Sequence, residues 1–262
     1  MTDDTKPTVQ KDYVQIARGV RSKVLSMIHK AQTAHTASNF SVTDLAVVLY
    51  ENLKTEDRVV WSKGWAAATT YVLLARRGQI PESDLEKFPH KPYINLVEIG
   101  VEGVETTGGS MGHGLPVAVG IAIGQKKLST PGMVYCIMSD GELNEGTTWE
   151  SMLVANHHYL DNLTVLVDRN KWQAMGQTED VLRLEPLDDK WRAFGWQVFH
   201  VDGHTHGDIE KALLSPTEGK PRVIICDTVK GKGVSFMEHT LVFHYKVIDD
   251  ETYKKALAEL TD

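Results

Sequence analysis

The chain has 262 residues, 42% of them hydrophobic and 24% charged, with a formal net charge of −7. That length supports one large domain with a substantial core, and the negative balance opposes nucleic-acid binding, which rests on clustered Lys and Arg neutralising phosphates. No apolar stretch approaches a membrane span, and the polar opening Met1 to Asp12 is unlike a secretory leader, so a cytoplasmic protein is expected.

Apolar residues recur at helical spacing from Tyr13 to Thr33. A second helix is expected from Ser41 to Leu53, opened by Ser-x-x-Asp as a cap before Leu45, Val47 and Val48. After Gly78 the chain turns irregular, and Pro81 to Gly103 reads as a loop region with one short helix at Ser83 to Lys87. A glycine-rich stretch, Gly103 to Gly114, leads into a helix from about Leu115 to Lys127. Short β-rich runs follow at Met133 to Met138, Leu163 to Val167, Trp196 to Val201 and Arg222 to Thr228. Helices at Glu145 to His158, Leu187 to Phe194 and His206 to Leu214 separate them. Alternating strand and helix imply an α/β fold, a mainly parallel sheet with helices on both faces, in one domain over residues 1–262. Cys136 and Cys226 each fall in a predicted buried strand, which favours inert packed thiols over a disulfide or redox pair.

Asp140-Gly141 closes one of these strands and Asp168-Arg169-Asn170 closes the next, with thirty residues between Asp140 and Asn170. Ligands of open α/β sheets bind beyond the carboxyl ends of the strands, so both side chains are expected to face one crevice. Mg²⁺ takes six oxygen ligands and commonly combines one or two protein oxygens with phosphate oxygens and water. A carboxylate and an amide oxygen at this spacing therefore suit a metal-bound diphosphate, and Gly141, lacking a Cβ, lets the backbone come close to it. Taken alone, Asp140-Gly141 also fits a tight turn after a strand, and Gly103 to Gly114 a flexible loop. Glu142 by default is an acid at a helix N-terminus, favoured by the macrodipole.

The spacing resembles that of thiamine-diphosphate enzymes, and the chain is similar over nearly its whole length to the N-terminal, diphosphate-binding half of transketolase in its split, two-chain form. The resembling stretches are Ala34 to Ser38, Asp57 to Gly64, Gly103 to Gly114, the Asp140 region and Val229 to Glu238. The resemblance implies thiamine diphosphate with Mg²⁺ or Ca²⁺ as cofactors, the metal held by Asp140, Asn170 and the Trp172 carbonyl. It assigns Gly109, Met111, His113, Gly141, Glu142 and Asn170 to cofactor binding, Gly109 and Met111 lying against its rings. His35 and His244 match active-site histidines, and Glu145 the acid that couples cofactor sites across the dimer. The implied activity is transfer of a two-carbon ketol unit from a ketose phosphate to an aldose phosphate. Because the pyrimidine-binding module of the family is absent, the chain alone is expected to be nearly inert. A C-terminal transketolase subunit is implied as partner, most simply in an α₂β₂ assembly.

Some positions depart from the family pattern. Trp65 follows Ser62-Lys63-Gly64 where the family has histidine, the stretch Asn95 to Gly103 lacks the usual His-Pro-acid, and Ser139 replaces a glycine. Trp65 has one donor and no acceptor and is expected to narrow the donor pocket. Two other readings stay open: a related thiamine enzyme subunit of the 2-oxo-acid or deoxyxylulose phosphate synthase type, and a noncatalytic scaffold subunit. Zinc at His204-Thr205-His206 or His157-His158 is disfavoured, since no clustered Cys or third ligand accompanies either pair.

Overall fold

The computed structural model describes residues 11–261; most of the opening segment read from Met1 to Asp12 lies outside them. Helix α1 (Tyr13–Ala31) starts where the Asp12 carboxylate accepts the Gln15 N–H, 3.0 Å away, and so caps it. It packs on α2 (Thr36–Asn52). That helix begins five residues earlier than its apolar pattern suggests, because Thr36, Ser38, Asn39 and Ser41 are all buried. Ser41 lies inside α2 and donates to Asp168 at 2.7 Å, and Asp44 binds Arg21, so the expected Ser-x-x-Asp cap is not formed. Strand β1 (Arg58–Trp61) and helix α3 (Ala67–Arg76) stand where no element is expected from the sequence. The irregular region contains only a 3₁₀ turn at Glu82–Lys87.

Helix α4 (Gly114–Leu128), β2 (Val134–Ser139), α5 (Gly146–His157) and β3 (Leu163–Arg169) follow. After them come the short α6 (Thr178–Val181), α7 (Leu187–Ala193), β4 (Gln197–Asp202), α8 (His206–Leu214) and β5 (Arg222–Asp227). The single-turn α9 (Val242–Tyr245) and α10 (Asp250–Thr261), for which no helix is expected, complete the chain. Every strand pair is parallel, in the order β1-β2-β3-β5-β4.

Side chains alternate across these strands as the pleat requires. Val134, Cys136 and Met138 join Val165, Val167, Val223 and Ile225 in a core under α4, α5 and α7. Tyr135, Ile137, Leu166, Ile224 and Cys226 meet α1, α2, α3 and α8 on the other face. The two cysteines are both free and buried, on opposite faces of the sheet, and burial pushes both thiols well above their ordinary range. Among the described residues no helix is long and apolar enough to cross a membrane.

Candidate active site

Strands β2 and β3 run in register, Ser139 beside Asp168, so the residues that follow them emerge together. Asp140 is fully buried. Its Oδ1 accepts the Gly141 N–H at 2.8 Å, and its Oδ2 accepts the Lys171 N–H at 2.7 Å and the Thr178 hydroxyl at 3.0 Å. Burial, followed by the charge of Asp168, pushes Asp140 up to about 6 against those hydrogen bonds. Asn170 turns its Oδ1 to the Trp172 N–H at 3.0 Å, across a turn in which Lys171 takes φ +68°. Asp168 is already compensated. It pairs with Lys63 and accepts hydroxyls from Ser41 and Thr228; burial opposes its charge, but Lys63 outweighs that and holds it below the usual carboxylate range.

Asp140 is thus a buried carboxylate with no ion pair among the described residues, at a strand end next to the one that Asn170 follows. Among the described residues no three His, Cys, Asp or Glu side chains gather into a metal cage. The donor set fits a hard cation that takes its remaining ligands from phosphate and water.

A cavity of about 240 Å³ opens over these strand ends, with Gly141 and Asn170 at its base and Gly109 and Met111 on one wall. Trp172 to Met175 borders it on a further side. The glycine-rich loop lies so close to the turn after β1 that a Cβ on Gly64 would come within 2.3 Å of the Gly109 nitrogen. Glu142 stands in the first turn of the 3₁₀ segment Gly141–Asn144, the helix-terminal place of its default reading, and it also secures this arrangement. The side chain is buried, with Oε1 accepting the Ser139 N–H at 2.7 Å and Oε2 accepting the Ser62 hydroxyl at 2.5 Å and the Gly112 N–H at 3.2 Å. Its carboxylate ties the loop to the end of β2.

Lys63, Lys230, Trp65 and His244 also line the cavity. Lys230 is buried and 3.1 Å from His244 Nδ1, and burial together with the charge of Lys63 pushes it down to about 8. Burial first, then Lys230, holds His244 down at about 3, and burial with Lys230 and Lys63 holds His35 at about 4. Both rings are therefore neutral near pH 7. His35 takes φ +73°, and its N–H donates to the His244 carbonyl at 3.2 Å. Its ring stacks on Trp65 at 4.3 Å and meets the His244 edge at 4.8 Å, while its Nδ1 is buried without a partner.

Of the residues singled out from sequence, Gly109, Met111, Gly141, Glu142, Asn170, Trp172 and His244 line the cavity, with Asp140 beneath it and His35 behind Trp65. His113 is exposed at the start of α4 and does not line the cavity, and Glu145, half-buried at the start of α5, packs against Gly112 instead. Ser62, Lys63 and Lys230 lie in the stretches that resemble the family and Asp168 in the run that closes β3, but none of them is singled out there as a site residue, because lysine and aspartate are seldom fully buried. The paired histidines 204 and 206 both face the Asp44 carboxylate, at 2.6 and 2.9 Å.

A parallel sheet that presents Asp-Gly and Asn at neighbouring strand ends, under an amine-lined cavity, defines a diphosphate-binding α/β domain. The family described as transketolase, thiamine diphosphate binding domain, matches residues 12–260, and the chain belongs to it. It is 37% identical to an apulose-4-phosphate transketolase subunit from Actinobacillus succinogenes, over 94% of this chain and 95% of that protein. It is 35% identical to a 6-deoxy-6-sulfo-D-fructose transketolase subunit of a Clostridium species, over 96% and 97%. The solved transketolase of Campylobacter jejuni superposes with a TM-score of 0.89 at 28% identity, over 96% of this chain but 43% of that one. The chain is accordingly the N-terminal, thiamine-diphosphate-binding part of a transketolase-type transferase.

Proposed function

We propose that this chain is the N-terminal subunit of a two-chain transketolase, which works with a C-terminal subunit to move a two-carbon ketol unit from a ketose phosphate to an aldose phosphate. The observation that carries this reading is the juxtaposition of Asp140 and Asn170 at adjacent strand ends with Lys63 and Lys230 above them. Asp140, Asn170 and the Trp172 carbonyl would hold Mg²⁺ or Ca²⁺, and the two lysines would face the diphosphate. Bound thiamine diphosphate supplies the electron sink for breaking and making the carbon–carbon bond. Around it, Gly109 and Met111 would bear on the rings, Glu142 keeps the glycine loop seated, and neutral His35 and His244 would exchange hydrogen bonds and protons with sugar hydroxyls. Glu145, at the start of α5, would serve contact between copies rather than the cavity itself.

The cavity walls that carry Trp65, 38% exposed, and Met175, 77% exposed, would be completed by the partner subunit. We read residues 12–260 as one diphosphate-binding domain working in the cytoplasm as half of an α₂β₂ assembly. Trp65 favours a second reading of the donor. The relatives act on an apulose phosphate and a sulfofructose by their names, and an indole stacked on His35 leaves less room than an imidazole would.

The test is co-expression with a C-terminal transketolase half, then turnover with Mg²⁺ and thiamine diphosphate on xylulose 5-phosphate plus ribose 5-phosphate and on the two relatives' donors. Turnover confined to the mixture, abolished by EDTA and restored by Mg²⁺, is expected. A mixture that forms a complex but neither takes up the cofactor nor turns over any donor would overturn the proposal.

A further inference from the structure

Beyond the cavity wall that carries Lys230, two buried side chains, Arg21 and Asp44, and two half-buried ones, His204 and His206, form a line between α1 and the loop after β5. The Arg21 guanidinium grips Asp44 at 2.5 and 3.3 Å and also donates to the Phe40 carbonyl. The same carboxylate meets His204 Nδ1 at 2.6 Å and His206 Nε2 at 2.9 Å. His204 Nε2, in turn, lies 2.8 Å from the Val229 N–H. Val229 follows the end of β5 and immediately precedes Lys230, so its amide has left the ladder and needs an acceptor elsewhere. Only an unprotonated Nε2 can accept it, which requires the ring proton on Nδ1, the nitrogen that faces Asp44. Burial opposes charge on Asp44, but Arg21 and the two imidazoles outweigh it and keep the group a carboxylate. The tautomer of His204 is therefore imposed.

The loop around Val229 is shaped for one conformation. Gly203, next to His204, packs so tightly that a Cβ would meet the Thr228 methyl at 2.4 Å. Gly231 takes φ +83°, and its N–H reaches the Ala37 carbonyl at 3.1 Å. Between these fixed glycines, the hydrogen bond from the Val229 N–H to His204 sets the Thr228–Val229 peptide plane, one peptide before Lys230, whose amine lies against His244.

We propose that His204, oriented by Asp44 and Arg21, is a positioning residue that holds the Val229–Lys230 backbone so that the Lys230 amine meets an anionic group in the cavity. This rests on the reading of that cavity as a diphosphate site. The role belongs to the acceptor nitrogen: a glutamine at 204 keeps an acceptor oxygen near the place of Nε2, whereas asparagine reaches toward Asp44 but not Val229.

Full-length His204→Gln, His204→Asn and His204→Ala chains, each checked for an unchanged far-ultraviolet spectrum and cooperative melting, provide the test. Amide hydrogen exchange at residues 228–233 is measured without ligand. Affinity for thiamine diphosphate with Mg²⁺ is then read from tryptophan fluorescence in the complex with the C-terminal subunit, with unphosphorylated thiamine as control. The asparagine and alanine variants are expected to exchange Val229 faster and to bind the diphosphate about tenfold more weakly, as loss of an outer support does at bound cofactors and metals, with glutamine within about threefold of the unsubstituted chain. Three variants that behave alike, whether all unaffected or all weakened, would reduce the cluster to a fold staple and overturn the proposal. An unsubstituted complex with the C-terminal subunit that takes up no cofactor would instead overturn the reading of the cavity and the purpose assigned to Lys230, while Val229 exchange alone would still show whether His204 pins the loop.

Discussion

Trp65 and the histidines beside it show how single residues set the character of the site. The indole lies flat on His35, and Asn39 Nδ2 ties the two backbones together by donating to both carbonyls at 3.0 and 3.2 Å. Trp65→His is expected to change the ratio of kcat/KM between a bulky and a compact donor by about tenfold, the size of discrimination that a pocket of one shape achieves. An unchanged ratio would remove Trp65 from donor selection. The depressed histidines have a second consequence. An unfolded chain takes up protons at His35 and His244 below about pH 6.5, while the folded chain does so only toward about 4 and about 3. Their contribution to stability is thus present above pH 6.5 and lost as the pH falls through the folded values. Urea midpoints should decline from pH 6.5 to 4, and His35→Gln should flatten that decline. Asp140, Gly141 and Asn170 are legible in the sequence because their identities follow from oxygen coordination at strand ends. Lys63 and Lys230 are not, since only the folded core reveals that their amines are enclosed with Asp168 and His244.

At the level of elements, periodicity reveals helices with one wet face and overlooks those without one. Helix α2 is buried on nearly every side, so small polar residues fill its first turns and its start is hidden. The four-residue β1 is too short to announce itself, although it pairs with β2 along Arg58 to Trp61. The 3₁₀ turn that follows brings Gly64 against the backbone of Gly108 and Gly109. Backbone atoms cannot retract as a flexible side chain can, so Gly64→Ala should destabilise the protein by about 1–3 kcal/mol, the usual range for overpacking, and push the glycine loop away from the cavity. Urea denaturation checks the first effect and thiamine diphosphate titration the second; full retention of both would mean that the loop is free to shift. The corrected start of α2 also places Asp44 where it meets Arg21 rather than capping a helix, so one revised boundary changes the role of a charged side chain.

For the molecule as a whole, the α/β class and the helices on both faces are readable from alternating segments, and the strand order is not. Insertion of β5 between β3 and β4 depends on which face α7 and α8 cover, which local sequence does not encode. That order sets the loop after β5, with Lys230, beside the ends of β2 and β3, so a ligand held there bridges three separate connections. Such a ligand should stabilise the whole fold by mass action, by about 2.7 kcal/mol at a hundredfold excess over Kd. For a chain of this size that is a rise in melting temperature of roughly 5–10 °C. Thiamine diphosphate with Mg²⁺ should produce the rise, EDTA should cancel it, and Asp140→Asn should show none. The unliganded Asp140→Asn chain is expected to be no less stable than the parent, because it removes a buried negative charge beside Asp168; a large loss would mean that the carboxylate serves the fold rather than a ligand.

The two sealed thiols are natural timers for the opening of this protein. Cys136 lies in the core under α4 and α5 and Cys226 in the core on the other face, where α8 packs on β5, so a labelling reagent reaches each only when its own half of the core parts. Their two reaction rates would show, without any introduced probe, whether the layers on either side of the sheet come apart together or in turn.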